Sequence, residues 1–369
     1  MPSQALALVG TDSSGSLLWA LEGLEGKIQG KHVLCLPDLF LDHIAALPKW
    51  GDLQKPITAA VLRGGGNFRS GEQRIAPGGN AFNTARALAR LGVPARFAAL
   101  TSREALEFVD RETTDEPIDL TLVETTGRTS MTIAMELGPD RINVMMNDPG
   151  SLEGLRLADL GSGVAQAING AAAVHVGNWA QNRSQGTAFA RDVLQAAKRA
   201  GALTFLDPSD LTNREPDVLE FIHAVAQGEH LDWLLVNESE VRELARVLLL
   251  HDSSTSPCAH DDTEGQGKEF TKRSKSAVAV HLLRASMSFR KGKMEAQAPV
   301  SVIPPARTTG AGDVWSAGFI AGTLAGIGAA ERLQLANIVA RLFVSKPAGP
   351  PPTLGEVRAA LAAPSAHAR

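Results

Sequence analysis

Residues 307–322, RTTGAGDVWSAGFIAG, combine very small residues with one acid where a loop becomes an apolar helix. Gly310, Ala311 and Gly312 have side chains small enough to let backbone N–H groups approach a ligand, and the helix N-terminus adds a positive dipole end. Such a turn can bind an anion. Asp313 could accept a proton from a substrate hydroxyl while the N–H groups neutralise a phosphoryl group in transfer.

The same residues also match an ordinary helix start. Glycine often precedes a helix, and aspartate in the first turn interacts favourably with the helix dipole. The segment alone therefore leaves helix capping and phosphoryl transfer equally open.

The composition narrows the partners of such a site. The chain has 369 residues, 44 % of them hydrophobic, and a net charge of −4. The length and the hydrophobic fraction are sufficient for a sizeable core. The slightly negative net charge gives no positive field that would attract nucleic acid, so we expect a small-molecule partner. Cys35 and Cys258 form no disulfide or zinc pattern, which is typical of a reducing, cytoplasmic setting. We expect no targeting signal and no membrane span.

Short β-rich runs alternate with helical stretches, the pattern of a largely parallel sheet between helices. Apolar positions three or four residues apart predict helices over 83–92, 186–201 and 238–250. Strands are predicted at 33–36, 131–137, 172–176, 203–207 and 233–237.

Three segments interrupt this alternation, and one precedes it. Residues 59–79 and 120–146 are predicted to be hairpin-like strands of a small β lid over the substrate site. Residues 251–276 are polar and aperiodic and are predicted to be a mobile insertion. Residues 1–31 form an N-terminal extension to which the sequence assigns no role.

The common nucleotide-binding motifs are missing from the sequence. Neither Gly-Lys pair in residues 25–32 has the spacing of GxxxxGK[ST], and GxGxxG does not occur. This argues against a P-loop ATPase and a classical Rossmann dehydrogenase.

Four motifs together resemble those of the ribokinase, or PfkB, family of carbohydrate kinases. TTGAGDVWSAGF (308–319) resembles its C-terminal signature, and PGGNAFNTARALARLG (77–92) its N-terminal one. LVNESEVREL (235–244) resembles its NxxE motif, and LPDLFLDHI (36–44) its first strand with a substrate-binding acid. The resemblance implies a three-layer α/β/α ribokinase-like domain over residues 32–369, with a mostly parallel central sheet and a small β lid.

The resemblance also implies a reaction. The protein would be a magnesium-dependent kinase that transfers the γ-phosphate of a nucleotide, ATP, to a hydroxyl of a sugar or sugar-like polyol. Asp313 would be the base, and Gly310, Ala311 and Gly312 would form the anion hole.

The other site residues follow from the same motifs. Asp42, Gly78, Gly79 and Asn83 would bind substrate hydroxyls, although Asp42 could be a turn acid and Gly78-Gly79 a tight turn before a helix. The nucleotide or its phosphates would contact Asn237, Thr309, His281 and Asn337.

Glu240 would act on Mg²⁺ through water, because Mg²⁺ keeps most of its waters. Asn237 and Glu240 also have capping-box spacing, so the functional interpretation depends on the family motif. Asp207, at a predicted strand end, would line the cleft, and Arg128 is expected to be a solvated lid arginine.

Two departures from the family pattern limit the resemblance. Arg307 replaces the usual aspartate that helps several members hold a monovalent cation, so we predict no activation by potassium. His281, Leu283 and Ser286 replace the usual Thr-x-Gly and second glycine of the nucleotide-binding strand, which leaves the donor nucleotide open.

Three questions stay open at this level. The acceptor could be a nucleoside rather than a sugar, and the protein could be a lapsed relative that only binds sugar or nucleotide. A homodimer through the lid is possible on sequence grounds, since MTIAMEL (131–137) would present an apolar face.

Overall fold

The computed structural model describes residues 15, 17, 23–28, 30–67, 71–139, 141–212, 214–250 and 262–362. These residues form a nine-stranded sheet between two layers of helices, together with a separate four-stranded sheet. The arrangement confirms the predicted three-layer fold class. None of the helices in these ranges is long and apolar enough to cross a membrane.

The elements are numbered in chain order. The strands are β1 His32–Leu36, β2 Phe40–Leu47, β3 Gln73–Gly78, β4 Ala95–Leu100, β5 Ile118–Glu124, β6 Ser130–Leu137, β7 Ile142–Asp148, β8 Ala171–Val176, β9 Leu203–Leu206, β10 Trp233–Asn237, β11 Ala277–His281, β12 Ala285–Arg290 and β13 Lys293–Pro299. The helices are α1 Leu24–Ile28, α2 Trp50–Leu62, α3 Asn80–Arg90, α4 Arg103–Glu112, α5 Gly163–Asn169, α6 Gly186–Arg199, α7 Glu215–Phe221, α8 Glu238–Leu250, α9 Thr263–Arg273, α10 Ala311–Leu324, α11 Ala329–Val344 and α12 Leu354–Ala362.

The large sheet has the order β13-β12-β11-β10-β9-β8-β1-β4-β5. Its strands pair in parallel except that β12 is antiparallel to both of its neighbours, β11 and β13. Along β1, Val33 and Cys35 belong to one hydrophobic cluster, and Leu34 and Leu36 to the other. Because alternate residues point to opposite faces, both faces of this strand are covered, which is typical of a parallel sheet.

The three predicted helices are confirmed as α3, α6 and α8, and the five predicted strands as β1, β6, β8, β9 and β10. The prediction for 59–79 is wrong in its first half, because α2 continues to Leu62 and only β3 is a strand. Ala59 and Ala60 favour the helix, and Gly64 with φ of 79° follows its end. The presence of Pro56 within α2 conceals this helix from a sequence pattern.

The lid prediction for 120–146 needs a similar correction. β5 pairs with β4 in the large sheet, so only β6 and β7 of this segment belong to the small sheet. The remaining small-sheet strands are β2 and β3, in the order β3-β2-β6-β7, and we call this sheet the lid sheet. The sequence 36–44 spans the end of β1 and the start of β2, which places Asp42 in the lid sheet rather than in the central one.

The polar segment 251–276 is not aperiodic throughout. Residues 263–273 form α9, whose start is capped by the Asp262 side chain accepting from the Gly265 N–H at 2.8 Å. The buried positions of α9 have helical spacing but are mainly small or polar, so an apolar pattern cannot find them. They are Thr263, Gln266, Gly267, Phe270 and Thr271. Residues 251–261 lie outside the described residues.

The described part of the N-terminal extension packs on the same domain. Leu17 and Ile28 are buried in the core cluster that also contains α10 residues. Lys27 donates a hydrogen bond from Nζ to the Ala325 carbonyl, just after α10. These contacts make Leu17 and α1 part of the helical layer.

Candidate active site

The turn before α10 has the shape that its small residues allow. Gly310 has a left-handed φ of 84°, and a Cβ there would lie 3.4 Å from the Phe343 ring and 3.5 Å from Asn83 Nδ2. The Ala311 N–H donates to the Thr308 carbonyl at 3.1 Å. Glycine is therefore favoured at 310 by its backbone conformation.

The start of α10 leaves backbone N–H groups available. The first turn of a helix has no intrahelical acceptors for its N–H groups, and no side chain in the described residues caps this one. A Cβ on Gly312 would lie 3.2 Å from His281 Nε2, so little space separates this turn from the end of β11. The turn can bind an anion through these N–H groups.

Asp313 lies in the first turn of α10 and is only 7 % exposed. Its Oδ2 accepts a hydrogen bond from Asn83 Nδ2 at 2.8 Å, and Thr84 Oγ1 donates to its carbonyl at 3.2 Å. Burial raises the pKa of Asp313 well above its usual range, and the nearby Asp207 carboxylate raises it further. A carboxylate with a raised pKa is a stronger base than an exposed one.

Gly78 and Gly79 hold β3 and α3 against two acids. A Cβ on Gly78 would lie 1.9 Å from Asp42 Oδ2, and one on Gly79 would lie 2.5 Å from the Asp38 carbonyl. Gly79 also has a φ of 104°. Close packing therefore requires both glycines, whatever they also bind.

Asp38, after β1, is an acid that sequence reasoning missed. It is fully buried and accepts hydrogen bonds from the N–H groups of Asn80 and Ala81 at 2.6 and 2.9 Å. Asn178 Nδ2 donates a third, at 3.1 Å. The sequence does show that Asp38 comes directly after a buried strand and that the PGG turn leads into a helix. Since carboxylates stabilise helix N-termini, these two features together could have identified Asp38. Asp38 thereby positions the start of α3.

Asp42 lies on the lid sheet opposite Ala76 of β3 and Thr132 of β6. It is 6 % exposed, and burial raises its pKa to about 6, although the neighbouring Thr132 side chain opposes the shift. The Asp38 charge adds to the increase. Asp42 is thus close enough to Asp38 to interact electrostatically, and Asp38 and Asp42 both raise the pKa of Asp313.

Asn237 and Glu240 hydrogen-bond each other at the end of β10. The Asn237 N–H and Nδ2 donate to Glu240 oxygens at 2.8 and 2.7 Å, and the Glu240 N–H donates to Asn237 Oδ1 at 3.0 Å. This is the reciprocal geometry of a helix cap. Burial raises the pKa of Glu240 well above its usual range, and Asp207 raises it further, so both acids face the same region.

Asp207 follows β9 and accepts hydrogen bonds from the Asn80 amide at 3.3 Å and the Ser209 N–H at 2.9 Å. Burial raises its pKa to about 6. Three acids therefore share one electrostatic environment at the predicted site: Asp207, Glu240 and Asp313.

The other residues assigned to nucleotide binding lie in different settings. His281, at the end of β11 opposite Asn237, packs against Trp315 with ring centroids 5.2 Å apart and ring planes tilted by 44°. Burial lowers the pKa of His281 to about 4. Asn337 accepts from Trp315 Nε1 at 2.9 Å and donates to the Pro299 carbonyl at 3.2 Å. Thr309 Oγ1 is buried and has no hydrogen-bond partner among the described residues.

Arg307 is buried against Phe343, with its guanidinium carbon 3.4 Å from the ring centroid. Nε donates to the Phe343 carbonyl at 3.0 Å, and Nη1 donates to the Gly349 carbonyl at 2.7 Å. The arginine therefore holds together the loop before α10 and the chain after α11. Arg128, by contrast, is exposed and paired with Asp148, as a solvated lid arginine would be.

Comparison with known proteins is consistent with this site. Residues 45–353 match the sequence profile described as pfkB family carbohydrate kinase. The chain belongs to the pfkB family of carbohydrate kinases. It is therefore a phosphotransferase acting on a sugar or nucleoside, and kinases of this family use ATP.

Several known proteins resemble this pfkB kinase. A ketohexokinase from Haloferax volcanii is 28 % identical over 304 residues, 77 % of this chain and 75 % of the relative. The adenosine kinase of Sinorhizobium meliloti has a TM-score of 0.69 at 19 % identity, covering 89 % of this chain and 99 % of its own. The ribokinase of Arabidopsis thaliana, solved with ribose and ATP, has a TM-score of 0.66 at 19 % identity, with coverages of 90 % and 99 %.

The raised pKa of Asp42 predicts a pH-dependent stability difference in this pfkB kinase. Asp42 has a pKa of about 6 in the folded state, against the usual value of 3.8 for an unfolded chain. Because the folded state binds the proton more tightly, the contribution of Asp42 to the free energy of unfolding falls as the pH rises from 3.8 to about 6. Asp42→Asn removes that titration. We expect the variant to gain about 2–3 kcal/mol relative to the wild type from about pH 4 to about pH 7, with most of the gain by pH 6.

Urea denaturation at a series of pH values measures this difference. Asp192→Asn, at an exposed position on α6, is the control for the change of Asp to Asn. A flat difference for Asp42→Asn would contradict the raised pKa.

Proposed function

We propose that this protein transfers the γ-phosphate of ATP to a hydroxyl of a sugar or sugar-like polyol, with Asp313 as the base. The observation that carries the proposal is the buried Asp313 carboxylate at the open N-terminus of α10, oriented by Asn83. A base and an anion site at one helix end are what phosphoryl transfer needs.

The proposed steps use groups that lie together. The acceptor hydroxyl gives its proton to Asp313, and its oxygen forms a bond to the γ-phosphorus while the bond to the β-phosphate oxygen breaks and ADP leaves. Backbone N–H groups of Gly310, Ala311 and Gly312 are assigned to the charge of the transferred group, with the Ala311 N–H exchanging its bond to the Thr308 carbonyl for one to the phosphoryl oxygen. Asp42, Asn83 and the Gly78-Gly79 turn are assigned to the remaining acceptor hydroxyls.

The donor side is assigned to the end of β10 and β11. Asn237, Thr309 and His281 are proposed to contact the nucleotide or its phosphates, and the unpartnered Thr309 hydroxyl supports this. Asn337 suits a direct contact less well, because both of its polar atoms already hydrogen-bond inside the protein. A cytoplasmic location, where ATP is abundant, is part of the same proposal.

The acids fit a requirement for Mg²⁺. Asp207 and Glu240 are buried, and Asp207 raises the proton affinity of Glu240 and Asp313, so a cation would relieve this repulsion. The described residues contain no group of three His, Cys, Asp or Glu side chains that could hold a metal by themselves. Glu240 is therefore assigned a contact through water, and Mg²⁺ would supply neutralisation of the nucleotide phosphates.

A nucleoside acceptor is the second candidate, and the similarity to an adenosine kinase structure favours it. The sequence similarity to a ketohexokinase favours a sugar. A panel of sugars and nucleosides in an ATP-consumption assay separates the two, since turnover with nucleosides alone would overturn the sugar assignment.

Asp313→Asn tests the base. We expect kcat to fall by about 10²–10⁴-fold, because proton acceptance is lost, while acceptor binding measured by calorimetry changes little. Asp192→Asn, exposed on α6, should retain wild-type turnover. Wild-type turnover in Asp313→Asn would remove the base assignment and would also reopen the possibility of a relative that only binds its ligands.

The position of Arg307 leads us to expect that potassium does not activate the enzyme. Its guanidinium already bridges the Phe343 and Gly349 carbonyl oxygens, and a second cation beside it would be repelled. We expect turnover in potassium chloride and in sodium chloride of equal concentration to agree within about twofold. Potassium activation of the wild-type enzyme would show that a cation site persists despite Arg307.

The outer face of the lid sheet is proposed to pair with a second copy of this chain. Its exposed apolar side chains are Ile75, Met131, Ile133, Ile142, Val144 and Met146. Ile133 lies opposite Met146 in the β6–β7 pair, so the patch is continuous across strands. We expect a dimer in sedimentation velocity that Ile133→Lys converts to monomer, while Val61→Lys on α2, also exposed, does not. A monomeric wild type would contradict this pairing.

A further inference from the structure

A cavity of about 390 Å³ lies between the inner face of the lid sheet, α3 and the chain on either side of α10 and α11. Asp42, Asn83 and Thr309, which belong to the proposed active site, line it. So do five arginines: Arg74, Arg86, Arg90, Arg111 and Arg307. The volume is that of a site for a small molecule. Acceptor residues and a cluster of guanidinium groups therefore share one cavity.

Arg307 provides a donor without a partner. It is 7 % exposed, and its Nε and Nη1 are used by the Phe343 and Gly349 carbonyls. Its Nη2 is buried and has no hydrogen-bond partner among the described residues. A buried donor left unpaired destabilises a protein, and an acceptor brought by a ligand would remove that cost.

Arg74 provides a second such group. It lies on β3 directly opposite Ile44, so it shares the inner face of the lid sheet with Asp42, two residues along β2. Its side chain is partly buried, and it makes no hydrogen bond or ion pair with the described residues. Burial, and then repulsion from Arg74 and Arg86, lowers the pKa of Arg307 to about 10, although the Glu136 carboxylate, which is paired with Arg141, opposes the shift.

None of the acids that line the cavity forms an ion pair with Arg74 or Arg307. Arg86 is neutralised by Glu116, with Nε and Nη2 donating at 2.8 and 2.5 Å. Arg111 lies 3.7 Å from Glu112. Two further acids, Asp42 and the exposed Asp115, also line the cavity, and Asp42 has the raised pKa described above.

Arg90 is engaged as well, since its Nε donates to the Pro351 carbonyl. The side of the cavity formed by β3 and the loop before α10 therefore carries two guanidinium groups that form no ion pair with an acid in the described part of the chain.

We propose that the acceptor is an anionic sugar, carrying a phosphate ester or a carboxylate that is bound between Arg74 and Arg307. The inference rests on the proposed function, because Asp42 and Asn83 bind the hydroxyls of the same molecule. Guanidinium groups bind phosphate and carboxylate oxygens through charge-assisted hydrogen bonds, and a neutral sugar would leave both positive charges without an anion.

Steady-state kinetics with matched acceptors test this proposal on the full-length kinase. The pairs are fructose with fructose 6-phosphate, fructose with fructose 1-phosphate, and glucose with gluconate, which differ mainly in one anionic group. We expect kcat/KM to favour at least one anionic member by tenfold or more. Arg74→Gln should lower that ratio by roughly tenfold, the effect of one charge-assisted hydrogen bond. Arg96→Gln, whose side chain pairs with Asp119 outside the cavity, should not lower it.

Equal or better use of every neutral member would overturn the proposal while leaving the kinase assignment intact. So would an anionic preference that Arg74→Gln leaves unchanged. No phosphorylation of any sugar or nucleoside would instead contradict the proposed function. In that case, thermal stabilisation by fructose 6-phosphate over fructose, lost in Arg74→Gln, would still support the anion site, and its failure would overturn it.

Sodium sulfate distinguishes an anion carried by the acceptor from a separate effector. Inhibition competitive with the acceptor, weakened in Arg74→Gln, supports the proposal. Activation of turnover with a neutral sugar, without competition, would show that the arginines bind a free anion and would overturn it.

Discussion

The hydrogen bond from Asn83 to Asp313 joins the two helix N-termini on which the site depends. Asn83 lies in the first turn of α3 and Asp313 in the first turn of α10, and the Thr84 hydroxyl adds a second contact to the Asp313 backbone. Because both helices begin at the same place, the residues proposed to bind substrate and phosphate are oriented by one set of contacts. The glycines before each helix permit this close approach.

The site collects carboxylates that are unfavourable in a buried setting. Asp38 is compensated by three hydrogen bonds from α3 and Asn178. Asp42, Asp207, Glu240 and Asp313 are less well compensated, and burial raises the pKa of each. Buried carboxylates of this kind reduce the stability of the folded protein. Proteins retain them at functional sites, where bound ligands compensate their charge.

Arg307 changes the electrostatics beside this acidic group. It brings a fixed positive charge to the loop that leads into the anion-binding turn, and it is held by stacking and by two carbonyl oxygens. The same residue lines the arginine-rich cavity, and its Nη2 has no hydrogen-bond partner within the described ranges. One substitution in a family motif can therefore act on loop structure and on ligand preference.

Much of the fold and part of the site followed from local patterns. Strand and helix periodicity predicted the α/β alternation, and GAGD with Asn83 identified a site that the fold does bring together. Other features could not be found in this way. α9 buries small and polar residues at helical spacing, α2 contains a proline, and Asp38 has no motif of its own.

The cavity shows most clearly what only the tertiary structure decided. Its arginines come from β3, α3, α4 and the loop before α10, so no stretch of sequence contains them together. The sequence by itself determined the elements and the small residues at each turn, because these depend on contacts between near neighbours. Which charges face each other, and which stay unpaired, depends on packing between distant segments.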